Sequence, residues 1–264
     1  MIDQGSGRPI VLIPGIQGRW EYLAGTVNAL ARSHRVLTFS LSDLVSPDRR
    51  GDPFSAWAEG IDRIIERAGE TPAALVGVSF GGLIALRYAS LHPNRVRALV
   101  LVSTPPPGWR PDPRRAAYLK RPRLSLPLFA WRATSTLLHE LVRARPSWPA
   151  RARLAVEYGG RVLRAPVSPT RMAEWVHAWQ ASDLESDCRR VVAPTLVITG
   201  EPGFDRVVPT ETTLQYLRLI DGARHVVLPG TGHLGSVTKP ADFSEVVGRF
   251  LAERSVHPLQ AKGA

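Results

Sequence analysis

The chain has 264 residues, 44% of them hydrophobic, and a formal net charge of +11. That length suits one large α/β domain carrying an insertion, or two small domains. A single cysteine, Cys188, excludes an intrachain disulfide and any cysteine-rich metal site, and no apolar run approaches the ~18 residues that a membrane span requires.

The first residues lack a basic segment followed by an apolar run, so no secretory signal is read there and a reducing, cytoplasmic location is expected. The charge is uneven. Between Pro105 and Arg190 stand 16 Lys/Arg against 7 Asp/Glu, a difference of +9, which leaves the rest of the chain at +2. Such a stretch suits a solvated Arg-rich surface, or attraction of an anionic substrate, an acidic carrier protein or a membrane surface. The basic residues form no nucleic-acid-binding motif, so no nucleic-acid partner is expected.

In chain order, Arg8 to Ile13 is a buried-type strand stopped by Pro14-Gly15. A helix is predicted from about Arg19 to Arg32 and a short strand over Arg35 to Phe39. After a polar loop with Pro47, Gly51 and Pro53, the stretch Ser55 to Ala68 is helical. Its Trp57, Ile61, Ile64, Ile65 and Ala68 share one face. Ala74 to Val78 is an apolar strand and Phe80 to about His92 a helix. Val96 to Val102 is another buried strand. Continuously apolar strands alternating with helices indicate a parallel sheet covered on both faces. From Pro105 to Cys188 the rhythm breaks into helical runs punctuated by prolines, with five of the seven tryptophans. It resumes with a strand over Thr195 to Thr199, a helix from about Pro209 to Ile220, a strand over His225 to Leu228 and a helix from about Pro240 to Arg254. The expected organisation is an α/β core over 1–104 and 191–264, with a helical insertion over 105–190.

The join at Gly77-Val78-Ser79-Phe80-Gly81 has the Gly-x-Ser-x-Gly pattern of a nucleophile elbow, between a strand and a helix as that motif demands. A serine hydroxyl needs a general base. His233, in Gly230-Thr231-Gly232-His233 after the last strand, lies on the same rim of a parallel sheet as the elbow. The histidine in turn needs a carboxylate to fix its tautomer. Asp205, in the loop after the strand at 195–199, is favoured over Glu201, which sits closer to the strand end. The order Ser79, Asp205, His233 is that of the α/β-hydrolases. An oxyanion hole would use the backbone N–H of Phe80 and that of Ile16, with Gln17 as the alternative.

The chain resembles the α/β-hydrolase superfamily, in its capped branch of esterases, carbon–carbon bond hydrolases, epoxide hydrolases and haloalkane dehalogenases. The resemblance rests on Gly77-Val78-Ser79-Phe80-Gly81-Gly82, on Pro93-Asn94-Arg95-Val96 leading into Leu99 to Val102, on Pro194 to Gly200 with Asp205 and Val208-Pro209, and on Gly232-His233. It implies a mostly parallel sheet of about six strands covered by helices, with residues 105–190 as a helical cap. Two departures stand out. Pro14-Gly15 replaces the usual His-Gly at the oxyanion loop, and the usual Asp-x-x-Gly-x-Gly after the second strand is absent.

A serine in the elbow disfavours the epoxide hydrolase and dehalogenase chemistries, whose members use aspartate there. The expectation is hydrolysis of a small-molecule carboxylic ester through an acyl-enzyme, with no cofactor and no metal. Gln17, Trp109, Trp131, Trp175 and Trp179 are the candidate pocket residues. The alternatives are an ester or thioester on acyl carrier protein or coenzyme A drawn in by the basic cap, carbon–carbon bond cleavage, and a ligand-sensing regulator on the same fold.

Overall fold

The computed structural model describes residues 1–44, 53–69, 72–108, 110, 119–144 and 147–256. Seven strands form one sheet: β1 (Ile2–Gln4), β2 (Pro9–Ile13), β3 (Arg35–Thr38), β4 (Ala73–Val78), β5 (Val96–Val102), β6 (Thr195–Thr199) and β7 (Arg224–Val227). Their spatial order is β1-β3-β2-β4-β5-β6-β7. All neighbours are parallel except β1, which runs antiparallel to β3. The strand beyond the expected six is thus β1, three residues at the sheet edge.

The helices of the core are α1 (Ala24–Leu30), α2 (Pro53–Ala68) and α3 (Phe80–Leu91). Between β5 and β6 come α4 (Leu126–Ala144), α5 (Trp148–Arg164), α6 (Pro169–Ala181) and α7 (Leu184–Arg190). The C-terminal part carries α8 (Thr210–Thr213), α9 (Tyr216–Leu219), α10 (Gly235–Thr238) and α11 (Pro240–Val256). Two expected helices are broken: residues 20–23 are a 3₁₀ turn ahead of α1, and the 209–220 segment is split into α8 and α9.

Side chains on a strand alternate between the two faces of the sheet, and both faces here are buried. Val11, Ile13, Leu75, Leu99, Leu101 and Val197 face one way and pack against α2, α3 and α7. Ile10, Leu12, Val76, Val100, Leu196 and Ile198 face the other way, toward α1 and α11. The insertion straddles the sheet. Leu137, Leu141 and Tyr158 of α4 and α5 join the second layer, while Trp179 of α6 joins the first.

Asp187 of α7 ties the insertion's end to α3. Its buried carboxylate accepts a hydrogen bond from Ser90 Oγ at 2.6 Å and forms ion pairs with Arg87 and Arg190. Cys188 is fully buried beside it. Burial pushes its thiol up to about 12.

Candidate active site

The parallel register sets the ends of four strands level. Val78 pairs with Val102, Val102 with Ile198, and Thr199 with Val227. The segments leaving β4, β6 and β7 therefore emerge on one rim, where open α/β sheets hold their ligands.

Ser79 leaves β4 with φ 52° and ψ −121°, a conformation that costs a non-glycine residue on the order of 1–3 kcal/mol. Neighbouring hydrogen bonds hold it there. Its N–H donates to Val102 O at 2.7 Å, and its carbonyl accepts from Gly82 N at 2.9 Å. The turn also requires glycines around it. A Cβ on Gly77 would lie 2.5 Å from Gly81 O, and one on Gly81 would strike the backbone oxygens of Ile13 and Pro14.

His233 Nε2 lies 3.0 Å from Ser79 Oγ, and its Nδ1 lies 2.9 Å from Asp205 Oδ2. An ionised carboxylate only accepts, so Nδ1 carries the proton and Nε2 is left to accept from the serine hydroxyl. Asp205 is in turn fixed by the N–H groups of Val207 and Val208, both donating to Oδ1 at 2.8 Å. Both Asp205 and His233 are buried. Glu201, the competing carboxylate, instead accepts from Gly230 N at 2.7 Å and braces the histidine loop.

The alpha/beta hydrolase fold family model matches residues 8–240. The chain belongs to that family. Among its relatives in this alpha/beta hydrolase family is the 2-hydroxy-6-oxo-2,4-heptadienoate hydrolase of Pseudomonas putida. It is 28% identical over 271 residues, covering 95% of this chain and 91% of the relative. The 2-hydroxymuconate semialdehyde hydrolase of Pseudomonas sp. (strain CF600) is 28% identical over 268 residues, covering 95% and 89%. The esterase EaEST of Exiguobacterium antarcticum superposes with a TM-score of 0.77 at 21% identity, covering 95% and 94%, which speaks for the fold.

In this hydrolase the loop after β2 lies against the elbow. A Cβ on Gly15 would sit 3.5 Å from Ser79 Cβ, and a turn is closed by Gly18 N donating to Gly15 O at 2.8 Å. Ile16 is inside that turn. Phe80 opens α3, where first-turn N–H groups have no partner within the helix. The two expected oxyanion donors therefore sit on segments that flank Ser79.

The pocket candidates separate. Trp175 closes over the loop after β2, so near to Gly18 that a Cβ there would lie 2.6 Å from its ring, and it stacks on Phe80 at 6.4 Å. Trp179 is buried edge-on to Phe80, with its Nε1–H donating to Pro107 O at 3.2 Å. Gln17 bonds the hydroxyl of Tyr158 on α5, a phenol that burial pushes up to about 12. Trp131 is 64% exposed on α4. Trp109 lies outside the described residues.

One residue escaped the sequence reading. Glu140 of α4 is 1% exposed and reaches the histidine loop from the insertion. It accepts hydrogen bonds from Gly232 N at 3.0 Å and from Leu234 N at 2.9 Å, the two residues that flank His233. Burial raises its carboxyl above the ordinary value, opposed by the Leu234 N–H and by the charge of His233. The signal was its place on the Leu137, Leu141 and Ala144 face of α4, where a carboxylate has no business without a partner.

Among the described residues, no group of three or more His, Cys, Asp or Glu side chains is arranged to hold a metal ion. No described helix is long and apolar enough to cross a membrane.

Proposed function

We propose that the chain is a serine hydrolase that cleaves small carboxylic esters through an acyl-enzyme, with Ser79 as nucleophile, His233 as general base and Asp205 as its orienting carboxylate. The observation that carries this reading is the unbroken chain from Ser79 Oγ through the His233 ring to Asp205, at 3.0 and 2.9 Å, built on a strained serine. As Ser79 Oγ bonds the ester carbonyl carbon, its proton passes to His233 Nε2. The oxyanion would be held by the Phe80 and Ile16 N–H groups. Collapse breaks the bond to the alcohol, which leaves with the proton from His233. Water then gives a proton to His233, its oxygen attacks the acyl carbon, and the acid departs as Ser79 recovers its proton. Helices α4, α5 and α6 serve as a cap, a role supported by the positions of Glu140, Tyr158 and Trp175 over the rim.

A second reading is carbon–carbon bond hydrolysis, favoured by the two Pseudomonas relatives at 28% identity. Hydrolysis of p-nitrophenyl esters from acetate to palmitate, with wild type beside Ser79→Ala, tests the first reading. Activity peaking at one chain length and lost by at least about a thousandfold in Ser79→Ala is expected. A Ser79→Ala enzyme as active as wild type would remove the serine mechanism. Turnover of a 2-hydroxy-6-oxo-dienoate with no ester turnover would select the second reading.

A further inference from the structure

A single stretch of α4 touches both loops that carry the candidate base and acid. Glu140 holds the backbone on either side of His233. On the same stretch, the His139 ring packs on Phe204 at 5.0 Å and the Arg143 guanidinium lies over the same ring at 4.7 Å. Phe204 immediately precedes Asp205. The approach is tight enough to dictate sequence: a Cβ on Gly232 would lie 2.8 Å from Phe204 O and 2.9 Å from Glu140 Oε1. Only a glycine leaves room for the carboxylate between the two loops.

We infer that Glu140 is a positioning residue, which from the insertion holds the His233 loop in register with Ser79 and whose negative charge favours the protonated imidazole. The inference rests on the serine-hydrolase reading and deepens it. Two separate effects follow from one side chain. As an acceptor, Glu140 fixes the N–H groups of Gly232 and Leu234 and hence the aim of the ring between them. As a charge in a buried setting, it stabilises the imidazolium that forms when Ser79 gives up its proton. Other charged groups face this centre. Asp205 meets the ring directly and Glu201 holds Gly230. Arg143 and His139 lie on Phe204, with Arg206 close enough to act on His139. Lys239 donates to Pro229 O at the loop's start. Among these groups only Glu140 loses its charge in E140Q, so a shift of the acid limb in that variant reports the Glu140 charge.

The consequence for the cap is direct. The base loop is braced by a residue that belongs to the insertion, so the catalytic geometry is complete only while α4 is seated.

The test compares wild type, E140Q and E140A by the pH dependence of kcat/KM on a p-nitrophenyl ester. In parallel, it follows the rate at which a fluorophosphonate probe labels Ser79, located by mass spectrometry. E140Q keeps an oxygen for the two N–H groups and loses the charge. Its plateau should stay within about threefold of wild type, while the acid limb moves to lower pH by about 0.5–1 unit, because the imidazole becomes easier to deprotonate. E140A loses the acceptor too. Its plateau kcat and labelling rate should fall by at least about tenfold, with KM changed less than about twofold. Should E140A fail to fold, the E140Q acid limb decides. Labelling of Ser79 in wild type together with an E140Q profile superimposed on wild type would overturn the positioning role and leave the serine hydrolase intact. Absence of Ser79 labelling in wild type would overturn the serine-hydrolase reading, and this inference with it.

Discussion

The sheet core and the inserted helices treat the same residue types in opposite ways. Trp57 of α2 has no exposed surface and meets Phe54, Phe80 and Trp175 edge-on at 5.3–5.6 Å. Trp148 of α5 is 75% exposed, and Leu124, Trp131, Val156 and Leu163 are likewise open to solvent. Glycines divide in the same way. Those of the elbow sit where any side chain would strike backbone, whereas Gly159 and Gly160 of α5 face open space. A core that buries both faces of a sheet leaves few substitutions free. The insertion is pinned at a handful of points — Glu140, Tyr158, Trp175, Trp179 and Asp187 — and tolerant between them.

Substitutions chosen in pairs sharpen that contrast. The largest effect is expected from Trp57→Ala, which should cost about 3–5 kcal/mol of unfolding free energy in urea titration, against less than about 0.5 kcal/mol for Trp148→Ala. Equal costs would mean that the outer face of α5 is covered in solution. Gly81→Ala should come next. Its new methyl meets the Ile13 and Pro14 carbonyls, an overpacking worth about 2–3 kcal/mol, and Ser79 labelling by a fluorophosphonate should be lost with it. The smallest effect has the opposite sign. Gly159→Ala, within α5 and unobstructed, should stabilise by about 0.5–1 kcal/mol, seen as a rise in Tm of a few degrees. Destabilisation there would show that α5 packs on something at that point.

The same contrast decides what could be read from the residues alone. Buried parallel strands are continuous apolar runs, so β2, β4, β5 and β6 stood out, and the elbow glycines carried their own steric reason. Glu201 lies closer to the strand end than Asp205, and in the structure Asp205 meets the histidine while Glu201 accepts from Gly230 N. Strand β1 was not legible: three residues at a sheet edge carry no periodicity, and its pairing with β3 is a tertiary matter. In the insertion, helical stretches were evident, but the buried face of each was not. Trp131 and Trp175 look alike in sequence, and only packing puts one in solvent and the other over the loop after β2. Glu140 stayed hidden for a related reason: its partners are backbone N–H groups 92 and 94 residues away, which no local pattern announces.

Cys188 has a practical consequence. The chain's one thiol is buried on the inner face of α7, with its ionisation suppressed by burial, and the thiolate is the form that reacts with maleimides. Native protein is thus expected to react only slowly with such reagents. A cysteine placed at Trp148 and another on an exposed turn of the core, such as Asp221, would be the reactive pair without removal of the native residue. Fluorophores or spin labels at those two sites would report the separation of insertion and core directly, with and without a bound ester analogue.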